Sequence, residues 1–380
     1  MESMSTVISL FGVVSIPEME TAALDVLRSG RIANGEYVEK FEKKLGDILG
    51  QPNVVTTVDM TSALFLALHL AGVVEGDEVL TTAFACLSTN TAIAHHKAKP
   101  IWVDVSPKSV EMDVADLQSK ISEKTKAVIL YHIAGYPGPA REIADICKQR
   151  GIVLIEDCDN ALFAERESVQ VGFNGDFSIY SFYPNRQINT TEGGALICKS
   201  PEMALKARKF RRFGINPRTF RTSEGEINSL SVIPEIGWSV ALNNFCAALG
   251  CAQLDTVQLR HNKTQRNVQK LKALIKNIVG VTPVPVGENS NPAYWVFLLY
   301  IEDRDKVLSL LKQHGVMASC LHMRNDIYTG FGVRQSAQLP NTDYLQEHIM
   351  AIPCGWWLDD ESLKHIAYVL EKSVCMALTN

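Results

Sequence analysis

Short apolar runs alternate with segments of helical spacing between residues 61 and about 198. Residues 61–72 and 140–150 carry the 3.6-residue spacing of apolar positions that predicts helices. The intervening runs are short and rich in β-branched residues, which predicts strands at 78–82, 101–105, 127–132 and 152–156. Strands that alternate with crossover helices form a mostly parallel sheet, so the sequence predicts an α/β fold with one large central sheet.

The C-terminal third has a different pattern. Residues 242–278 form a long helical region, and residues 280–292 are rich in Pro, Gly and Asn, as in a connection. A strand is predicted at 293–301, a helix at 305–314 with Gly315 as its C-cap, and a terminal helix at 359–375. We therefore expect a large domain over residues 1–255, which includes the N-terminal segment, and a small α+β domain over 256–380.

The predicted sheet also indicates where a ligand would bind. In open parallel sheets the crevice lies beyond the carboxyl ends of the strands. Residues 83–89, 132–138, 157–160 and 181–189 follow predicted strands, so we expect these four segments to surround one site.

Composition narrows the function. The chain of 380 residues is 46% hydrophobic and carries a net charge of -5, without a basic run that would favour nucleic acid. Neither a signal sequence nor an apolar stretch of about 20 residues is evident, so we expect a cytoplasmic protein with no membrane partner. The nine cysteines include no Cys-x-x-Cys pair, which favours reduced core thiols and predicts no metal site.

The segment Ser181-Phe182-Tyr183-Pro184-Asn185-Arg186-Gln187-Ile188-Asn189-Thr190-Thr191-Glu192-Gly193-Gly194 carries a family resemblance. It resembles the active-site segment of the DegT/DnrJ/StrS sugar aminotransferases, which are fold-type-I enzymes that use pyridoxal phosphate (PLP). The similarity extends from residues 27–30 to Ile352-Pro353. It implies an aminotransferase-like large domain with a mostly parallel sheet, a smaller C-terminal α+β domain, and a dimer whose sites take residues from both subunits.

The resemblance also assigns cofactor contacts. Asp157 matches the aspartate that pairs with the pyridinium nitrogen, and Thr61 and Ser181 match hydroxyls that hold the cofactor phosphate. Asn160 stands where the family commonly has Gln. Each of these positions also suits a structural role, because Asp157 could cap a turn and Thr61 could begin a helix.

Five positions depart from the family pattern. Arg186 stands where the resemblance implies the Schiff-base lysine, and a guanidinium does not lose its proton to attack a carbonyl. Met60 replaces a glycine that approaches the phosphate, and Cys86 replaces an aromatic ring that stacks on the pyridine. Ser239 and Ala241 replace an Asn and an Arg near the phosphate. Together these changes predict a degenerate PLP site with no covalently bound cofactor.

Two roles remain open for Arg186: it binds an anion through its planar fork, or it forms a salt bridge with Asp157 or Glu192. His132 and Tyr183 are further candidates for catalytic residues in the crevice.

Three other features have a structural and a functional interpretation. His322 is a crevice candidate, although a lone histidine is more often a hydrogen-bonded structural residue. Tyr136 shapes its loop or faces the crevice. The pair Trp356-Trp357 lines a binding surface or is buried against the small domain.

These residues lead to three hypotheses. The first is a divergent sugar-aminotransferase homologue that acts on a sugar-like or amino-acid-derived metabolite in a biosynthetic pathway, without a PLP aldimine. The second is a nucleotide-sugar aminotransferase or dehydratase that holds PLP or pyridoxamine phosphate (PMP) non-covalently. The third is a non-catalytic subunit that pairs with an active paralogue instead of forming a homodimer. Whether the chain is an enzyme stays open at this level.

Overall fold

A computed structural model describes residues 7–332 and 338–378 of the chain. The helices are α1 (Pro17–Ser29), α2 (Tyr37–Leu49), α3 (Met60–Leu70), α4 (Leu87–His95), α5 (Val114–Lys120), α6 (Ala140–Arg150), α7 (Pro201–Phe210), α8 (Asn244–Gln253), α9 (Val257–Ile275), α10 (Arg304–Gln313), α11 (Pro340–His348) and α12 (Asp360–Leu378). The strands are β1 (Val54–Thr57), β2 (Glu78–Thr82), β3 (Lys99–Val103), β4 (Thr125–Tyr131), β5 (Val153–Asp157), β6 (Glu165–Arg166), β7 (Val169–Gln170), β8 (Phe177–Ser181), β9 (Gly194–Cys198), β10 (Val281–Pro283), β11 (Ser290–Asn291), β12 (Phe297–Ile301) and β13 (Ile349–Ile352).

The central sheet has seven strands in the order β1-β9-β8-β5-β4-β2-β3. Strands β8, β5, β4, β2 and β3 are mutually parallel, and only β9 runs against its two neighbours. This confirms the predicted α/β fold with a mostly parallel sheet. The antiparallel strand β9 was not predicted as part of the sheet, because its short apolar run has no crossover helix before it.

Capping chemistry fixes the helix that begins nearest the crevice. Asp59 is the N-cap of α3, and its side chain accepts a hydrogen bond from the amide of Ser62 at 2.7 Å. Gly194 lets β9 approach the start of α3 closely. A Cβ atom at this position would lie 2.6 Å from the carbonyl oxygen of Asp59. Because Gly194 pairs with Ser181 across β8 and β9, the start of α3 lies beside the carboxyl end of β8.

The small lobe consists of the antiparallel sheet β10-β12-β13 with α9, α10 and α12 packed around it. Strand β12 is buried along its whole length, which fits its continuous apolar sequence. The predicted helical region 242–278 is two helices, α8 and α9, joined by a short 3₁₀ turn. We propose residues 255 and 256, within that turn, as the boundary between the two domains.

The first described residues of the chain contact the small lobe. Ile8 forms a bridge with Val316, and its amide donates to the carbonyl of Gly315 at 2.8 Å. Leu10 is buried in the same apolar cluster as the strands of the small lobe. The segment therefore runs along the small lobe before the chain enters α1.

None of the helices in the described residues combines the length and apolarity that a bilayer span requires.

Candidate active-site crevice

Arg186 is buried in the crevice and forms a bidentate salt bridge with Asp159. Its Nε lies 2.7 Å from Asp159 Oδ1, and its Nη2 lies 2.8 Å from Oδ2. The third nitrogen, Nη1, donates to the side-chain oxygen of Asn185. Burial acts against the charge of Arg186, but Asp159 outweighs it and holds the arginine pKa above its ordinary value. The partner is Asp159, and not Asp157 or Glu192 as the sequence suggested.

An aromatic stack covers the guanidinium on its other face. The Cζ atom of Arg186 lies 4.5 Å from the ring centre of Trp295, a cation–π distance. Phe11 stacks on the far face of Trp295 with ring centres 4.6 Å apart, and the indole N–H donates to the carbonyl of Asn185 at 2.9 Å. Sequence reasoning missed both aromatic residues, because Phe11 and Trp295 are far apart in sequence and neither lies near a motif.

Asp157 lies fully buried at the carboxyl end of β5, where the resemblance predicts it. Its Oδ2 accepts from the hydroxyl of Thr89 at 2.8 Å, and its Oδ1 accepts from the amide of Asp159 at 3.1 Å. Burial raises the pKa of Asp157 to about 8, and the nearby carboxylate of Asp159 adds to the rise. The carboxyl group of Asp157 therefore keeps its proton to higher pH than an ordinary aspartate does.

A second set of polar groups lies beside this acidic pair. The hydroxyl of Tyr131 is 3.2 Å from His322 Nε2 and accepts from the amide nitrogen of Asn160 at 3.3 Å. Burial lowers the pKa of His322 to about 4, so its imidazole is neutral at pH 7. Within residues 7–332 and 338–378, Asn160 Oδ1 is buried without a hydrogen-bond partner. An unsatisfied acceptor of this kind is a candidate ligand contact.

The start of α3, where the resemblance puts the phosphate, is acidic. Asp59 Oδ2 accepts from the hydroxyl of Ser62 at 3.0 Å, in addition to the amide contact made by Oδ1. Burial raises the pKa of Glu192, and the charge of Asp59 adds to this rise. Thr61 lies in the first turn of α3, and Ser181 lies at the end of β8, where its hydroxyl accepts weakly from the amide of Tyr183 at 3.4 Å. An Asp carboxylate thus already occupies donors at this helix start.

The other four divergent positions have the following contacts. Cys86 is the N-cap residue of α4, and its Sγ accepts from the hydroxyl of Ser88 at 3.1 Å. Ala241 bridges to Thr57 beside the start of α3, and Ser239 bridges to Arg212. Met60 is buried at the first position of α3. Of these positions, Met60 and Ala241 lie at or beside the start of α3, and Cys86 begins α4.

His132 is fully buried and contacts Gly138 and Glu156. Its Nδ1 accepts from the amide of Gly138 at 2.9 Å, so its Nε2 carries the proton and donates to Glu156 at 3.1 Å. Burial opposes the charge of Glu156, but the His132 contact and the amides of Gly172 and Gly175 lower its pKa below the ordinary value. The fully buried imidazole thus has both ring nitrogens engaged within the fold, and its role as a catalytic residue stays a prediction.

Glu156 and His132 also lie close to Cys158, and the donor atoms of the three residues fall within 4.8 Å of one another. The nitrogens of His132 are both engaged, and each oxygen of Glu156 accepts a backbone N–H. Burial raises the pKa of the Cys158 thiol well above its usual range, so it is not a thiolate. The donor atoms of His132 and Glu156 are therefore already engaged in hydrogen bonds within the fold.

The remaining predicted residues have simpler surroundings. Tyr183 is 46% exposed, at the outer end of the segment that carries Arg186. Tyr136 is buried, and its hydroxyl accepts from the amide of Leu298 at 3.2 Å, which gives it a structural role. Trp357 packs against Gly12 and donates to the carbonyl of Ser9 at 3.2 Å, so it fastens the N-terminal segment to the small lobe.

A seven-stranded, mostly parallel sheet with a crevice at its carboxyl ends and a C-terminal α+β lobe defines a fold-type-I aminotransferase-like protein. The match to the DegT/DnrJ/EryC1/StrS aminotransferase family covers residues 15–371, and the chain belongs to this family.

Individual relatives agree with this assignment. The dTDP-4-dehydro-2,3,6-trideoxy-D-glucose 4-aminotransferase of Saccharopolyspora spinosa is 28% identical over 365 residues, which cover 93% of each chain. The crystal structure of the sugar aminotransferase CalS13 from Micromonospora echinospora has a TM-score of 0.90 at 28% identity, covering 96% of this chain and 99% of that one. The structure of AtS13 from Actinomadura melliaura has a TM-score of 0.91 at 28% identity, covering 97% and 100%.

Proposed function

We propose that this protein is a divergent sugar-aminotransferase homologue that acts on a sugar-like or amino-acid-derived metabolite in a biosynthetic pathway, without forming a covalent bond to PLP. Family membership and similarity to enzymes named as sugar aminotransferases support the substrate class. The observation that carries the altered chemistry is the engagement of all three guanidinium nitrogens of Arg186 by Asp159 and Asn185.

The residues at the crevice do not fit a covalently held cofactor. A guanidinium keeps its proton at any accessible pH and supplies no free amine to a carbonyl group. Arg186 and the Trp295 ring above it fill the space beside Asp159, and the carboxylates of Asp59 and Glu192 lie where a phosphate would need positive or neutral donors. Each of these features opposes PLP binding on its own.

Spectroscopy of the purified protein tests this proposal. PLP is added to the protein at molar ratios of about 1:1 and then about 20:1. We expect no absorbance band of a lysine imine and, after borohydride reduction, no pyridoxyl-lysine by mass spectrometry. A pyridoxyl group mapped to any lysine of the chain would refute the proposal.

A second candidate function keeps the cofactor without the covalent bond. It is favoured by Asp157, which remains buried at the end of β5, and by the unpartnered Asn160 Oδ1 close to it. In this case PLP or PMP would contact Asp157, Thr61 and Ser181. Calorimetric titration separates the two candidates, because saturable binding of PMP below millimolar concentration supports the second one and its absence supports the first.

We further propose that the protein is a homodimer. Support comes from the segment 214–236, which exposes four aliphatic side chains, those of Ile227, Leu230, Val232 and Ile236, at 61 to 84%. A cavity of about 890 Å³ lies between this segment, α3 and α7. Native mass spectrometry tests this. A monomer would contradict it, and co-purification with a second, paralogous chain would support the non-catalytic partner instead.

A further inference from the structure

The ion pair makes Asp159, as well as Arg186, a residue that determines the chemistry available at position 186. Asp159 is almost completely buried, with 1% of its side chain exposed, and both of its oxygens accept from the guanidinium. The carboxyl group of Asp157 lies beside this residue, because its Oδ1 accepts from the backbone amide of Asp159. Arg186 is therefore the cation that balances the buried charge of Asp159, and the two residues depend on each other.

We propose that Asp159 is the residue that withholds position 186 from carbonyl chemistry, so that a lysine restored at this position stays an ion-paired ammonium and does not condense with an aldehyde. The inference rests on the proposed function, because it explains how the crevice excludes a covalent cofactor. It goes beyond it by naming a second residue, outside the family's lysine position, that controls the outcome.

Lysine and arginine side chains reach to similar positions from the same backbone site. The lysine nitrogen falls close to where the guanidinium carbon of Arg186 lies, within contact of both oxygens of Asp159. An opposite charge within about 4–6 Å raises the pKa of an amine by about 1–3 units, and more so where water is excluded. Only the neutral amine attacks a carbonyl carbon, so the reactive fraction falls about 10- to 1000-fold.

The covalent step that Asp159 opposes is a balanced condensation. The ammonium first releases a proton to solvent, and the amine nitrogen then bonds to the aldehyde carbon. The aldehyde oxygen and the two hydrogens of the neutral amine leave as water, and a C=N bond remains. The carboxylate of Asp159 acts on the first of these events, because its charge favours the ammonium.

The experiment compares four variants of the full chain: R186K, R186K/D159N, R186K/D159A and R186K/D104N. Each receives PLP at pH 8, and the rate of imine formation is followed by absorbance and confirmed by borohydride reduction and mapping to residue 186. Asn has the shape of Asp without its charge, so D159N separates charge from bulk. Asp104 is also buried, at 5% exposure, but it caps the start of α11 from the far edge of the sheet.

We expect the rate in R186K/D159N and R186K/D159A to exceed that in R186K by about 10- to 1000-fold, and R186K/D104N to match R186K. Similar rates in R186K and R186K/D159N would overturn the proposal. No imine in any variant, with circular dichroism showing all four folded, would also overturn it and would assign the exclusion to the start of α3. Failure of the proposed function is distinct, because it appears as a lysine adduct in the unmodified protein.

Discussion

Replacing one member of the Arg186–Asp159 pair is expected to destabilise the fold far more than replacing both. The perturbations are R186M, D159L and the double variant, in which apolar side chains of similar length or outline fill the space. The pair is suited to this test because the side chains of Arg186 and Asp159 are 9% and 1% exposed and make two parallel hydrogen bonds.

The magnitudes follow from what each change leaves behind. Asp159→Leu strands a buried guanidinium, a situation that typically costs about 3–5 kcal/mol. Asn185 and the face of Trp295 stay in contact with Arg186, and a cation–π contact of about 1–2 kcal/mol puts the loss in the lower part of that range. Arg186→Met leaves the Asp159 carboxylate next to Asp157, and proton uptake limits its cost at low pH.

The double variant removes both charges together and should lie within about 1–2 kcal/mol of the unmodified protein. The coupling energy between the two positions is then at least about 3 kcal/mol. Urea unfolding measures it, provided that tryptophan fluorescence and circular dichroism give coincident transitions. The exposed pair of Lys97 and Glu75 serves as the control, where K97M should change stability by less than about 1 kcal/mol. Additive losses in the double variant would refute the reasoning.

Three further outcomes follow from the buried titratable groups. Because the folded chain holds the proton of Asp157 up to pH about 8 while the unfolded chain releases it near 3.8, stability falls as pH rises through this window, and D157N removes that slope of at most ~1.4 kcal/mol per pH unit. A stability profile with the same slope in D157N would contradict this. The His322 imidazole should stay neutral above pH 5, so an NMR titration midpoint near 6.5 would count against its burial. Glu156→Ala leaves three backbone amides and His132 without an acceptor. The free energy of unfolding in urea should therefore fall by at least about 3 kcal/mol, and a fall of less than about 1 kcal/mol would contradict this prediction.

Most of the large domain could be predicted from apolar spacing. Helix α6 has the predicted bounds, and strands β2, β4 and β5 lie within two residues of theirs, because parallel strands buried on both faces give continuous apolar runs. Strand β1 and the antiparallel placement of β9 were beyond this reasoning. They depend on pairing between residues 54–57 and 194–197, about 140 positions apart, which leaves no local signal.

The candidate site was predictable in position but not in its contacts. The crevice segments do converge, since Thr89 bonds to Asp157 and Gln187 donates to the carbonyl of Asn160 at 3.4 Å. The sequence suggests Asp157 or Glu192 as the salt-bridge partner of Arg186, whereas the structure shows Asp159. The sequence has an acidic residue at both 157 and 159, so Asp159 was also available as a partner. Asp157 is held by a hydroxyl and an amide, and the buried cation therefore pairs with the carboxylate that is not already engaged.

The order of synthesis gives the path of the N-terminal segment a consequence for how this protein matures. Phe11 is synthesised well before the indole it stacks on, which comes almost 300 positions later, and Ile8 pairs with Val316 later still. The large domain can therefore collapse around its sheet while its crevice is still open to solvent. The aromatic cover of Arg186 therefore forms only after Trp295 has been synthesised, and until then the guanidinium lacks the rings of Trp295 and Phe11 above it.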